Sequence, residues 1–160
     1  METMDIKDYY KQVIKPRYDK NIEIAKKIFG LDVIGYAYVS HEDGCPMVLD
    51  KDEKGYEWVE DNLLSPVWVD TTKERKENPR RTVLGRDVDA MYEVPDYFGN
   101  IADAWLIIQK FADKGWDITL HCDDGEQWRC SLGGSDRCTA VAKTAESAIC
   151  LASMGVCNEI

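Results

Sequence analysis

From Val94 the chain reads Val94-Pro95-Asp96-Tyr97-Phe98-Gly99-Asn100-Ile101-Ala102-Asp103-Ala104-Trp105, and the stretch this opens, as far as Val156, decides the fold. Asn100 has the short polar side chain that caps a helix N-terminus, and Asp103 stands where a carboxylate meets the positive end of the helix dipole. Ile101, Ala104, Trp105, Ile108, Phe111 and Ala112 then recur at steps of three and four, the period of one inner helix face. Gly115 follows where a left-handed residue closes a helix.

Beyond Gly115 the period changes from helical to two. Trp116, Ile118, Leu120 and Cys122 alternate with Asp117, Thr119 and His121, and after Asp123-Asp124-Gly125 the residues Trp128, Cys130 and Leu132 alternate with Gln127, Arg129 and Ser131. Directly opposed residues must share a face of the sheet, which excludes a two-residue loop because it would set Leu120 against Gln127. A three-residue loop pairs Leu120 with Trp128, Ile118 with Cys130 and Trp116 with Leu132, with Gly125 in the left-handed position of the turn. Its apolar face then requires helices to cover it. Gly133-Gly134-Ser135-Asp136 marks another turn, before a third strand at Arg137 to Ala142. Thr144 caps a last helix whose inner stripe is Ala145, Ala148, Ile149, Ala152 and Val156, small enough to lie close on a sheet, with Cys150, Leu151 and Met154 beside it.

Outward from this core the signals are shorter. Asp5 to Ile14 has helical composition, but Pro16 is expected to end or interrupt it, leaving a short helix or arm. A second helix is expected with Asp19 as cap, Ile22, Ala25, Ile28 and Phe29 as its apolar stripe and Gly30 as its stop. Leu31 to Val39 is β-branched and aromatic, Asp43-Gly44 is a turn, and Met47-Val48-Leu49 forms the partner strand. Pro66-Val67-Trp68-Val69 reads as one more short strand.

The middle of the chain differs in charge. Lys73 to Arg86 carries Lys73, Arg75, Lys76, Arg80, Arg81 and Arg86 against Glu74 and Glu77, a local balance of +4 in a chain of net charge −10, so the remainder sums to −14. Asn78-Pro79 and few apolar residues make this insertion loop-like. The chain of 160 residues reads as a single domain, 1–160, with 73–86 as a basic insertion and 94–156 as the helix-hairpin-helix core.

Composition excludes several classes of function. At −10 the average surface repels nucleic-acid phosphate and anionic lipid, which argues against broad nucleic-acid binding. No apolar run reaches about 18 residues, and Met1-Glu2-Thr3-Met4-Asp5 has neither a basic nor an apolar leader region, so no membrane span and no signal peptide are expected. The six cysteines, Cys45, Cys122, Cys130, Cys138, Cys150 and Cys157, include no C-x-x-C pair and read as free thiols behaving as small hydrophobes. His41 and His121 are too isolated for a zinc site, and no metal or cofactor is expected.

Val94-Pro95-Asp96-Tyr97 followed by Asn100-Ile101-Ala102-Asp103-Ala104-Trp105, then Gly115-Trp116, Trp128 and Thr144-Ala145-Glu146-Ser147-Ala148-Ile149-Cys150-Leu151-Ala152, resembles the phage ABA sandwich family. Its members share this "LPDY…A.AW", "GW" and "A…AIC.A" cadence, a relation that extends to NinX-like phage proteins, and Asp19 to Gly30 looks like the family's opening helix. The resemblance implies a small bacteriophage protein of α+β class, with a small antiparallel sheet covered by helices in an α/β/α sandwich; with no span and no leader expected, its place would be the host cytoplasm. The matching residues are caps and core, which speak to fold and not to chemistry.

Residue patterns that could carry chemistry are few. Glu42-Asp43 and Asp123-Asp124 sit at turn tips beside glycine, where turn geometry favours carboxylates, whereas a catalytic acid needs a buried setting. His121 and Cys122 are neighbours on a strand and so point to opposite faces, which rules out a thiol–imidazole couple. Gly133-Gly134 lacks the rest of any phosphate-binding fingerprint. Tyr97, Trp105, Trp116 and Trp128 are expected in the core. An enzyme is therefore the least favoured class, a nucleotide hydrolase being the form it would take. The favoured reading is a non-enzymatic protein that sequesters a small anionic ligand, such as a nucleotide immune signal of the host. Lys76, Arg80, Arg81 and Arg86 would hold it, with Arg129 assisting from the polar face of the hairpin. The alternative is an acidic protein that binds and inhibits a host protein. Either is compatible with a homo-oligomer.

Overall fold

A computed structural model describes residues 4–39, 46–49, 58–59, 62–63, 65–69, 82–83, 86–87, 91–134 and 137–160. The chain gathers into two compact units, Met1–Phe29 with Pro95–Ile160, and Gly30–Val94. The α+β class expected from the sequence is found, with antiparallel sheets and helices.

The first unit begins with α1 (Ile6–Tyr9), a π-helical turn (Tyr10–Ile14) and α2 (Lys15–Lys27). The break expected at Pro16 does not occur. The Lys15 amide reaches back five residues to the Tyr10 carbonyl, and this wider turn accommodates a proline that lacks an N–H and would crowd the carbonyl four residues before it. Asp19 is consequently mid-helix and does not cap it; its carboxylate pairs with Lys15 at 3.6 Å. Ile24, Ala25 and Ile28 are buried, and Gly30 takes the left-handed φ of 64° that ends the run.

The core follows as α3 (Ile101–Asp113), a three-stranded antiparallel sheet of β9 (Ile118–Asp123), β10 (Gln127–Leu132) and β11 (Cys138–Ala142) in the order β11-β10-β9, and α4 (Ala145–Val156). Each helix boundary has the cap its sequence calls for. The Asn100 side chain accepts the Ala102 N–H at 2.9 Å, and the Thr144 hydroxyl accepts the Ser147 N–H at 3.2 Å. At the end of α3, Gly115 adopts φ 78° while its N–H bonds to the Ala112 carbonyl and that of Trp116 to the Phe111 carbonyl, a Schellman closure. Trp116 then packs edge-on against Phe111, ring centres 5.2 Å apart, so it belongs to the cap and not to the strand.

The hairpin loop has three residues as expected, but one place further along: Asp123 pairs with Gln127, leaving Asp124, Gly125 and Glu126 in the turn. Leu120 therefore faces Cys130 and not Trp128, Ile118 faces Leu132 and not Cys130, and Trp116 has no place opposite Leu132. Asp124 and Gly125 both take left-handed φ values, 53° and 75°, which centres the turn on them and leaves Asp123 in the strand. The pairing moves by an even number, so the apolar face is the one expected: Cys130 and Leu132 are buried and Ile118, Leu120, Cys138 and Ala140 half-buried. α4 lies across β10 and β11 and packs on α3. It comes close because its sheet side is Ala148, Ala152 and Gly155; a Cβ at Gly155 would strike the Cys138 sulfur.

Asp96 and Tyr97 tie α2 to this core. Asn21, 1% exposed, donates from Nδ2 to Asp96 Oδ1 at 2.9 Å and accepts the Phe98 N–H at 3.1 Å. The Asp96 N–H donates to Asp103 at 2.9 Å, and its carbonyl accepts the Gly99 and Asn100 amides. Tyr97 is buried, stacks on Phe29 with centres 5.3 Å apart, and offers its carbonyl to the Cys150 thiol. Burial and the nearby Asp103 carboxylate push the Tyr97 phenol well above its usual range.

The second unit contains β1 (Asp32–Val39), β2 (Pro46–Leu49), β3 (Trp58–Val59), β4 (Asn62–Leu63), β5 (Ser65–Val69), β6 (Thr82–Val83), β7 (Arg86–Asp87) and β8 (Met91–Glu93). β2-β1-β5-β8 form an antiparallel sheet, in which Tyr36 faces Leu49 and Val67 faces Glu93. The pairing of β1 with β2 and the strand at Pro66 to Val69 agree with the sequence. β3–β4 and β6–β7 are short hairpins, so the basic insertion ends in a ladder in which Val83 faces Arg86. The turn at Asp43-Gly44, the pair Glu42-Asp43, His41, Cys45 and the stretch 73–81 lie outside the described residues.

Candidate functional site

One concave feature of the core is a groove of about 430 Å³ lined by Ile101 and Trp105 of α3, Leu120 of β9, Trp128 of β10, and Lys143, Thr144, Ala145 and Glu146 where the chain enters α4. Its origin is local. Ala104, Ile107, Ile108 and Phe111 form the buried stripe of α3. Ile101 and Trp105, four apart, stand at one edge of that stripe and remain 46% and 54% exposed. The expectation that both lie on the inner face is thus corrected: Ile107 occupies the inner position, and Ala112 is also exposed.

Of the four aromatic residues expected in the core, Tyr97 is there and Trp116 is half-buried in the α3 cap, while Trp105 and the half-buried Trp128 line the groove. A sequence signal for this existed. Between Ile101 and Ile108 only Asp103 is not apolar, more than one buried stripe consumes. The polar members of the lining are Lys143, Glu146 and Thr144, whose hydroxyl is engaged in capping α4.

The opposite face of the sheet is polar. Asp123 accepts from His121 Nε2 at 2.8 Å and from Arg129 Nε at 3.1 Å, and Ser131 and Thr139 share a hydrogen bond of 2.9 Å. The Arg129 bond, aided by His121, holds the Asp123 carboxyl below the usual carboxylate range. Arg129 is on the face expected of it, but its charge is compensated by Asp123.

The other four residues expected to hold an anion are placed less fully. Lys76, Arg80 and Arg81 lie outside the described residues, and Arg86 is described as a backbone position in β7. A second hollow of about 450 Å³, lined by Lys114, Trp116, Asp117, Gly133, Gly134, Arg137 and Glu159 among others, has its guanidinium occupied: Arg137 lies 5.8 Å over the Trp116 ring and pairs with Glu159 at 3.1 Å. Among the described residues no His, Cys, Asp and Glu side chains gather in a set that could hold a metal ion. The five described cysteines are free; Cys130, Cys150 and Cys157 are buried, Cys138 is half-buried and Cys122 is exposed. Burial pushes the Cys130 thiol up to about 11 and the Cys150 thiol higher still.

No helix among the described residues is long and apolar enough to cross a membrane. No curated protein and no solved structure matches the chain. The model of the phage ABA sandwich domain matches residues 22–154, most of the chain, and the protein belongs to that family.

Proposed function

We propose that this phage-family protein acts by binding and not by catalysis, sequestering a small anionic molecule of which a nucleotide immune signal of the host is the favoured class. The observation that carries this reading is the +4 balance of Lys73 to Arg86 in a chain whose remainder is −14. Positive charge concentrated on an acidic protein attracts an anion locally while the whole surface repels polyanions. Arginine is suited to the task because its planar fork gives two parallel hydrogen bonds to one phosphate or carboxylate. Lys76, Arg80, Arg81 and Arg86 supply the charge. Calorimetric titration with a panel of host nucleotide signals tests this. Heat with one of them, abolished in an Arg80→Ala/Arg81→Ala variant, is expected; no heat with any, or heat unchanged in the variant, refutes it.

A second reading, an acidic protein that occupies a basic surface of a host protein, is favoured by a separate observation. Two tryptophans line an open groove on a chain of net charge −10, and tryptophan is enriched at the centres of protein interfaces. A pull-down from bacterial lysate would recover one stoichiometric protein, released by salt; an empty pull-down counts against it.

A further inference from the structure

We infer that the groove between α3 and the hairpin docks a basic segment of a partner protein, which seats one apolar or aromatic side chain against Trp105 and Trp128 while flanking lysines or arginines face the acidic hairpin tip. The inference rests on the second reading above and gives it a location and a chemistry. Three features of the core point to this occupant. The groove wall is built largely from Ile101, Trp105, Leu120, Trp128 and Ala145, so what enters it must be apolar. Trp105 and Ile101 leave about half their surface in water. The hairpin tip next to it is acidic: Asp123 ends β9, and the turn two residues before Trp128 holds Asp124 and Glu126. Arg129 offsets Asp123, which leaves Asp124 and Glu126 exposed to pair with incoming cations.

Other occupants fit this charge pattern poorly. A second copy of the chain would bring another −10 towards the first. A phosphate-bearing ligand would find one cation in the lining, Lys143, beside the carboxylate of Glu146. A cationic segment gains steering from the acidic field and affinity from the buried side chain, the usual division between charge and apolar contact at an interface.

The test uses the full-length protein and a short lysine-rich peptide with one central leucine, followed by fluorescence anisotropy of a label on the peptide. The expected result is binding that weakens at least about tenfold when the leucine becomes alanine, and equally when Trp105 becomes alanine in the protein. Trp105→Ala should leave the fold intact because the residue is 54% exposed and outside the buried stripe of α3, and the far-ultraviolet spectrum verifies that. Tighter binding of a glutamate-for-lysine peptide or of ATP than of the lysine peptide, self-association lost in Trp105→Ala, or no binding of the lysine peptide would each overturn the inference. Failure here is separable from failure of the interaction reading. A pulled-down partner retained by Trp105→Ala sinks the groove and leaves the reading standing, whereas an empty pull-down with the unmodified protein sinks the reading.

Discussion

Replacing Asn21 by alanine should remove much of the stability of the unit that holds the groove. The carboxamide is 1% exposed and makes two bonds to the segment after Pro95, one to the Asp96 carboxylate at 2.9 Å and one from the Phe98 N–H at 3.1 Å. A hydrogen bond to a charged group contributes about 1.5–3 kcal/mol and a neutral one about 0.5–1.5 kcal/mol, and the orphaned Phe98 N–H adds a desolvation cost, so about 2–4 kcal/mol should be lost. With a urea m-value of about 2 kcal/mol per molar, the midpoint moves down by about 1–2 M. Asn21→Asp provides the control: it keeps the shape, cannot donate when ionised, and sets a second negative charge against Asp96. Its folded-state pKa would lie above the unfolded value, so that variant should regain stability as pH falls through the raised pKa and lose it as pH rises. The assay is urea unfolding monitored by circular dichroism at two pH values. A loss below about 1 kcal/mol for Asn21→Ala, with unchanged slope, would refute the idea that Asn21 links the opening helix to the core.

Four further outcomes follow from the same structure. Gly99→Ala places its Cβ on the Asp96 carboxylate and should cost about 1–3 kcal/mol in the same unfolding assay, because that carboxylate must leave Asn21. Gly155→Ala should likewise lower the melting temperature by pressing on the Cys138 sulfur, and Cys138→Ala should rescue it. In a carboxyl NMR titration Asp123 should protonate below the ordinary aspartate range and return towards it in Arg129→Gln; the contribution of the pair is present at neutral pH and is lost as pH falls through the depressed pKa. Alkylation at mildly alkaline pH, read by mass spectrometry, should modify Cys122 while Cys130 and Cys150 stay protected in the folded protein; equal modification of all three would contradict their burial.

The parts of the fold that were legible in the sequence are those set by local geometry. Asn100, Thr144 and Gly115 mark helix ends because a cap or a left-handed residue is required there whatever the tertiary structure. The two-residue period fixed the face of the hairpin but not its register, since moving the loop by one place shifts the pairs by two and keeps every side chain on its side. Pro16 misled because a π-turn can absorb it, and that choice depends on the packing of the preceding helix. The groove was hidden for the same kind of reason. Trp105 and Ile101 are on the edge of the apolar arc of α3, and only the position of α4 decides that Ile107 goes in while they stay out. Asn21 gave no signal at all: a buried polar residue is recognisable only once its partners 75 and 77 residues away are known.

The most direct test of the claim that the protein binds and does not transform its ligand is recovery of that ligand. The protein is incubated with each nucleotide signal, separated from free ligand by filtration and denatured by heat, and the released material is analysed by chromatography. One nucleotide should be retained in stoichiometric amount and come back chemically intact, with retention lost in Arg80→Ala/Arg81→Ala. Recovery of a cleaved product, or retention of no nucleotide, would contradict it.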